Sequence, residues 1–137
     1  MSQLLPQSGG LPDDPVADVH DLIGEVPIRA MVAAFYRRVP ADPILGPMYP
    51  AHDLAGAEAR LADFLVQRFG GSDDYSRRRG HPRLRMRHAP FAIDEAAADR
   101  WIELMTAAIE EVALDSRVRA RVVEFLSGVA TFLRNRE

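Results

Sequence analysis

Arg79-Gly80-His81-Pro82-Arg83-Leu84-Arg85-Met86-Arg87-His88-Ala89-Pro90-Phe91 is the stretch on which the reading of this chain turns. It sets two histidines and four arginines among three large apolar side chains and contains no acid. Pro90 lacks an amide donor and disfavours helix in the residue before it, so a short helix from Pro82 should end near His88. That leaves an imidazole at a helix terminus, beside Met86 and Phe91 and within reach of several cations. Such a site suits a neutral imidazole acting as a metal ligand, with an anionic group against the arginines. Haem answers both halves, because its iron takes an imidazole and its propionates take positive charge. The segment alone leaves two other readings open, a solvated charged face and a nucleic-acid contact.

Working outward, composition narrows the choice. At 137 residues the chain is expected to form one domain with a real core, and its 47% apolar content is ordinary. Its net charge of -3 argues against a surface built for polyanions, so no nucleic-acid partner is expected. Basicity is local: Arg77, Arg78, Arg79, Arg83, Arg85 and Arg87 fall close together, and lysine is absent. No cysteine is present, which removes disulfides, thiolate metal sites and cysteine nucleophiles. No apolar run is long enough for a membrane span. Residues 1–19 have neither a basic start nor an apolar stretch, and hold Pro6, Pro12, Pro15 and Gly9-Gly10. They read as a flexible N-terminal tail rather than a secretory signal, with a single domain over 20–137 and a cytoplasmic location.

The periodicity is helical throughout. Ile28, Met31, Val32, Phe35 and Val39 mark one face of a helix over about 26–39. Pro40, Pro43, Gly46, Pro47 and Pro50 break the chain into an irregular connector that carries Met48 and Tyr49. Asp53 is the expected cap of a second helix with Leu54, Ala57, Leu61, Phe64, Leu65 and Arg68 inward, stopped by Gly70-Gly71. Residues 72–80 are polar and read as a loop holding Tyr75. Asp94 should cap a longer helix with Trp101, Leu104, Met105, Ala108, Ile109 and Val112 on one face. Asp115 or Ser116 opens the last helix, with Val118, Val122, Phe125, Leu126, Val129 and Leu133 inward. Nothing alternates with period two, so the class is all-α.

Three polar aromatics, Tyr36, Tyr49 and Trp101, stand where the pattern expects burial or near-burial. Each alone reads as core packing. Together, opposite a candidate iron ligand, they offer O–H and N–H donors for the partial negative charge of a dioxygen ligand, each at roughly 1 kcal/mol net. His20 and His52 lie beside Asp21 and Asp53, but neighbours in sequence do not share a helix face, and no metal site is expected there.

On these residues the chain resembles the group II truncated haemoglobins. The likeness is carried by Phe35-Tyr36, Met48-Tyr49-Pro50, Asp53 through Glu58, Phe69-Gly70-Gly71, Tyr75-Ser76, Arg79 through Phe91 and Trp101, over roughly residues 20–133. The resemblance implies a truncated globin, a two-over-two α-helical sandwich around haem b. It makes His88 the axial ligand of the iron and Tyr36, Tyr49 and Trp101 the distal ligand-stabilising residues. Ala57 stands where vertebrate globins hold a distal histidine. The expected pocket is Phe35, Met48, Leu54, Ala57, Leu61, Phe64, Leu84, Phe91, Ile93 and Met105. Arg60, Tyr75, His81, Arg85 and Arg87 are the expected propionate partners.

The implied role is binding of dioxygen and other diatomic ligands at a pentacoordinate iron, with slow release. It suits redox chemistry with nitric oxide or peroxide, or sensing. Nitric-oxide dioxygenase or peroxidase activity at the same site is the alternative, and would need an electron-donor reductase. Homo-oligomer formation is left open. The chain departs from the family pattern at Gly24-Glu25, where two glycines are usual, and at Phe69, where tryptophan is common.

Overall fold

The computed structural model describes residues 14–137. Seven α-helices run α1 Val19–Ile23, α2 Glu25–Arg38, α3 Leu54–Arg68, α4 Asp74–Arg79, α5 Leu84–His88, α6 Glu95–Glu111 and α7 Ser116–Leu133. Two single 3-10 turns, Gly46–Met48 and Ala51–Asp53, lie in the connector between α2 and α3. Among the described residues there is no strand. Helix α2 packs against both α3 and α6, and α6 packs against α7. The α2–α3 pair therefore lies over the α6–α7 pair, the expected two-over-two sandwich.

The core between the layers is built from the apolar stripes. Ile28, Met31, Val32 and Phe35 of α2 meet Leu65 of α3, Met105, Ala108 and Ile109 of α6, and Val118, Val122 and Leu126 of α7, all in one buried cluster. At roughly 25 cal/mol per Å² of apolar surface removed from water, this stripe-on-stripe burial is the main term holding the layers together. Asp94 caps α6 by accepting from the Ala97 amide at 2.9 Å, and Asp115 caps α7 by accepting from Arg117 at 2.8 Å.

Several expectations are corrected. Residues 1–13, most of the expected tail, lie outside the described residues. The last part of that segment is part of the packed structure. Val16 and Val19 are fully buried, Asp14 accepts from Arg68 at 3.1–3.2 Å, and the His20 amide donates to Phe69 O at 2.8 Å. Gly70 makes room for this strap: its φ is +100°, and a Cβ there would strike the Ala17 carbonyl oxygen.

The polar stretch 72–80 contains α4 rather than a loop throughout. Tertiary contacts supply what periodicity lacked. The Gln67 side chain donates to Ser76 Oγ (2.7 Å) and accepts from its amide (2.9 Å), while Tyr75 is buried edge-on against Phe64, ring centres 5.5 Å apart.

Asp53 precedes α3 but does not cap it. Its carboxylate instead accepts from Arg60 at 2.9 Å. Helix α5 starts at Leu84 rather than Pro82, because Arg83 adopts a left-handed conformation (φ 47°, ψ 53°), with its amide donating to His81 Nδ1 at 3.0 Å. At the other departure, Gly24 takes the break between α1 and α2 alone, with φ 80°.

Candidate functional site

His88 is the last residue of α5 and is half-buried. Its Nδ1 lies 2.8 Å from Leu84 O, one turn back. A carbonyl can only accept, so Nδ1 carries the hydrogen and Nε2 keeps a lone pair for a metal. This is the outer hydrogen bond that fixes the tautomer and orientation of a ligand histidine. The turn behind it is held from α7's end, where Asn135 Nδ2 donates to His88 O (3.3 Å) and Phe91 O (2.9 Å), and Asn135 Oδ1 accepts from the Ile93 amide (2.9 Å).

The three polar aromatics do converge. Phe35, fully buried, stands edge-on to Tyr36 (ring centres 5.1 Å) and at a tilt to Trp101 (5.3 Å). Tyr36 and Tyr49 meet edge-to-face at 5.6 Å. Burial pushes both tyrosine hydroxyls above the usual phenol range, so both stay protonated at neutral pH. The Tyr36 hydroxyl and the Trp101 indole stand near enough to the Tyr49 hydroxyl to offset part of its rise. Each donor has one hydrogen to give. Tyr36, Tyr49 and Trp101 thus bring three such hydrogens into one cluster around Phe35.

The connector brings Tyr49 to this place through Asp42. Its carboxylate is buried and accepts from the Ile44 amide (3.1 Å), the Leu45 amide (2.8 Å) and Arg100 Nε (2.5 Å). The Leu45 amide, then Arg100 and the Ile44 amide, hold this carboxyl below the usual range despite its burial. Arg100 precedes Trp101 on α6, so one carboxylate ties Tyr49's connector to Trp101's helix.

The expected walls divide into two groups. Met48, Leu54, Ala57, Leu61, Phe64 and Leu84 are half-buried, apolar groups neither sealed inside nor fully in water. Phe35 and Met105 are sealed in the core and back the site. Ile93 is buried with Ala97, Ala98 and Ala130, against Met48 and Trp101, while Phe91 is 40% exposed. A cavity of about 420 Å³ runs between the N-terminal strap and Pro82 and shares only Phe64 with these walls.

The structure does not gather the five expected anion partners. Arg60 is drawn to Asp53. Arg85 turns to α7, with Nε donating to Phe132 O (3.2 Å) and its guanidinium 4.6 Å from that ring. His81 accepts from the Arg83 amide. Only Tyr75 and Arg87 share a neighbourhood, joined by Arg79. Arg87 Nη2 donates to Arg79 O at 3.0 Å, and the Arg79 guanidinium lies 5.8 Å from the Tyr75 ring centre.

Arg79 was not singled out as an anion partner in the sequence, yet its Nε is buried without a hydrogen-bond acceptor. A buried donor left unpaired costs about 1–3 kcal/mol, so this atom suits an incoming anion. Arg79 also approaches the buried carboxylate of Asp63 (3.4 Å), which Arg29 (2.8 Å) and Arg78 (3.5 Å) share. Burial alone would raise the Asp63 carboxyl, but Arg29 and Arg79 outweigh it and hold it low. Asn135, Asp42 and Asp63 carry no motif; Asp42 and Asp63 are acids between apolar neighbours, and Asn135 stands between two arginines.

These residues fit haem. One imidazole has a free nitrogen, and among the described residues no three metal-ligating side chains converge, so an iron there has to bring its remaining ligands in a macrocycle. The apolar walls and the unsatisfied Arg79 Nε suit its ring and its carboxylates.

Comparison with known proteins agrees. The model of the bacterial-like globin family matches residues 18–135. A group 2 truncated hemoglobin of Bacillus subtilis is 38% identical over 109 residues, 80% of this chain and 79% of that protein. The hemoglobin of Chloroflexus aurantiacus superposes with a TM-score of 0.83 at 42% identity, covering 87% of this chain and 98% of the other. A truncated oxygen-avid haemoglobin from Bacillus subtilis superposes at 0.80 with 35% identity, covering 85% and 98%.

Proposed function

Because the chain belongs to the bacterial-like globin family, as a group II truncated haemoglobin that binds haem and oxygen, we propose that it holds haem b through His88 and releases dioxygen slowly. The absence of cysteine supports haem b, since a thioether-linked haem has no attachment point here. The observation that carries the reading is the pairing of an Nδ1-anchored imidazole with the Tyr36–Tyr49–Trp101 cage.

When bound, haem supplies an iron with one open position for dioxygen or another diatomic ligand. The residues do the rest. His88, oriented by Leu84 O, offers Nε2 to the iron. Tyr49 offers its hydroxyl to the ligand side. Tyr36 packs against Tyr49, and Tyr36 and Trp101 add their own hydrogens to the same side. Ala57, Leu61 and Phe64 exclude water, which strengthens every donor. Tyr75, Arg79 and Arg87 bind the propionates.

Two donors at about 1–1.5 kcal/mol each slow release by roughly one to two orders of magnitude. The oxygen-avid relative behaves, by its description, in the same sense. Slow release is poorly matched to bulk delivery and well matched to chemistry with nitric oxide or peroxide, or to sensing. We propose the cytoplasm as its compartment, where reducing equivalents can keep the iron ferrous.

The decisive experiment is the visible spectrum of His88→Ala. The expected outcome is loss of the Soret band and of tight haem binding, both restored by added imidazole. A normal Soret band and wild-type haem affinity without imidazole would overturn the axial assignment.

A further inference from the structure

We propose that the face formed by α5 and the end of α7 is a docking site for an acidic one-electron carrier protein, which reduces the haem iron there. The inference rests on the haem reading above and names the class of partner that serves it.

Most arginines of this chain are neutralised in ion pairs, such as Arg29 with Asp63, Arg68 with Asp14 and Arg100 with Asp42. Arg85, Arg134 and Arg136 form no ion pair among the described residues, and all three are exposed. They lie at one end of the molecule, where α5 meets the end of α7. Arg85 donates to Phe132 O and stacks on the Phe132 ring, and Arg134 and Arg136 follow directly after that helix. Asn135 between them ties this end to His88 O and Phe91 O.

Beside these charges stand Phe132 (51% exposed), under the Arg85 guanidinium, and Met86 (59%), next to Arg85 on α5. Large apolar groups this open to water call for an explanation where they gather with unpaired charge. Methionine, phenylalanine and arginine are the residues enriched at protein–protein contacts. A nucleic acid would pair its phosphates with the arginines and leave Phe132 and Met86 without a role.

The charge pattern also orients a partner. Beyond Arg136 the face gives way to Asp94, Glu95, Asp99 and Glu137, which line one depression. An acidic carrier is drawn to the arginines and repelled on that side, which fixes its approach. The carrier arrives against the helix that ends in His88.

The step is simple in its balance. One electron leaves a reduced flavin or iron–sulfur cluster of the carrier, which is oxidised by one electron, and ferric iron becomes ferrous. No bond forms or breaks and no proton moves.

The test uses the haem-loaded protein with a plant-type ferredoxin and a flavodoxin as acidic probes. Binding is read by titration calorimetry and reduction by stopped flow, each at low and near-physiological salt. The double variant Arg134→Glu/Arg136→Glu should weaken binding and slow reduction about tenfold or more at low salt and flatten the salt dependence. Its oxygen release and visible spectrum should stay as in the wild type. Phe132→Ala should weaken binding while keeping the salt dependence. Wild-type binding and reduction in both variants would overturn the docking site, as would equal competition by duplex DNA or self-association of the chain through this face. A colourless wild-type protein would instead overturn the haem reading itself.

Discussion

The carboxylate of Asp42 receives Arg100 Nε at 2.5 Å, and this pair joins the proline-rich connector that carries Tyr49 to the helix that carries Trp101. Nothing else named in the connector reaches α6 through a charged hydrogen bond. The distal cage is thus assembled by an ion pair outside it. Asp42→Ala is expected to lower Tm by about 5–10 °C and to speed oxygen release severalfold. Stopped-flow release and thermal unfolding, measured on the same preparation, check this. A lower Tm with unchanged release would reduce Asp42 to a structural role.

The chain of ring contacts from Trp101 through Phe35 and Tyr36 to Tyr49 makes the cage a unit. Trp101→Phe should speed oxygen release severalfold or more. In the double variant Trp101→Phe/Tyr49→Phe the rate should fall short of the product of the two single effects, because residues packed in one cluster couple. Strictly multiplicative rates would mean that each donor meets the ligand independently.

The N-terminal strap holds Val16 and Val19 in the core with no exposed surface. Val16→Ala or Val19→Ala should each destabilise the fold by about 1–3 kcal/mol. The measurement is the urea midpoint at unchanged slope. Midpoints equal to wild type would mean that the strap is not packed in solution.

Asp63 balances Arg29, Arg78 and Arg79 from within the α3–α4 contact. Asp63→Ala leaves those guanidinium groups without their shared acceptor. The expected loss is about 1–3 kcal/mol, below that of a sealed ion pair, because Arg29 and Arg78 are solvent-screened. It should also loosen α4 and weaken haem retention through Tyr75 and Arg79. Haem transfer to apomyoglobin gives that second readout.

Acid should unfold the protein through its paired carboxylates. Asp42, Asp63 and Glu111 lie below their ordinary values, and Asp115 is held at about 2 by Arg117. Unfolded carboxyls titrate near 4. Between the two values the unfolded chain binds more protons, so the stability present above about pH 4 is lost as the pH falls toward 2. Helical circular dichroism against pH should show this, and Asp115→Asn should flatten the lower end of the curve. A curve flat from pH 5 down to 2 would contradict it.

Much of the architecture was legible because apolar stripes repeat at helical spacing and Asp94 and Asp115 cap their helices locally. Helix α4 was hidden because Gln67, Phe64 and Asp63, which hold it, sit on another helix. The buried strap was hidden because proline, glycine and acid composition says nothing about where Val16 and Val19 find a partner. In the candidate site, His88 and the three polar aromatics stood out by residue type and order. Arg79 did not, because only tertiary packing leaves its Nε buried and unpaired.

The amino-acid order by itself determined the all-helical class, the family, the imidazole before Pro90 and the absence of cysteine chemistry. These depend on local rules: spacing along a helix, proline's missing donor, and side-chain inventory. Tertiary structure alone decided that Tyr36, Tyr49 and Trp101 gather around Phe35, that Arg85 and Arg87 diverge, and that Asp42 draws the connector to α6. Direction and pairing of side chains are set by which faces meet when the layers close, and no spacing rule along one chain contains that information.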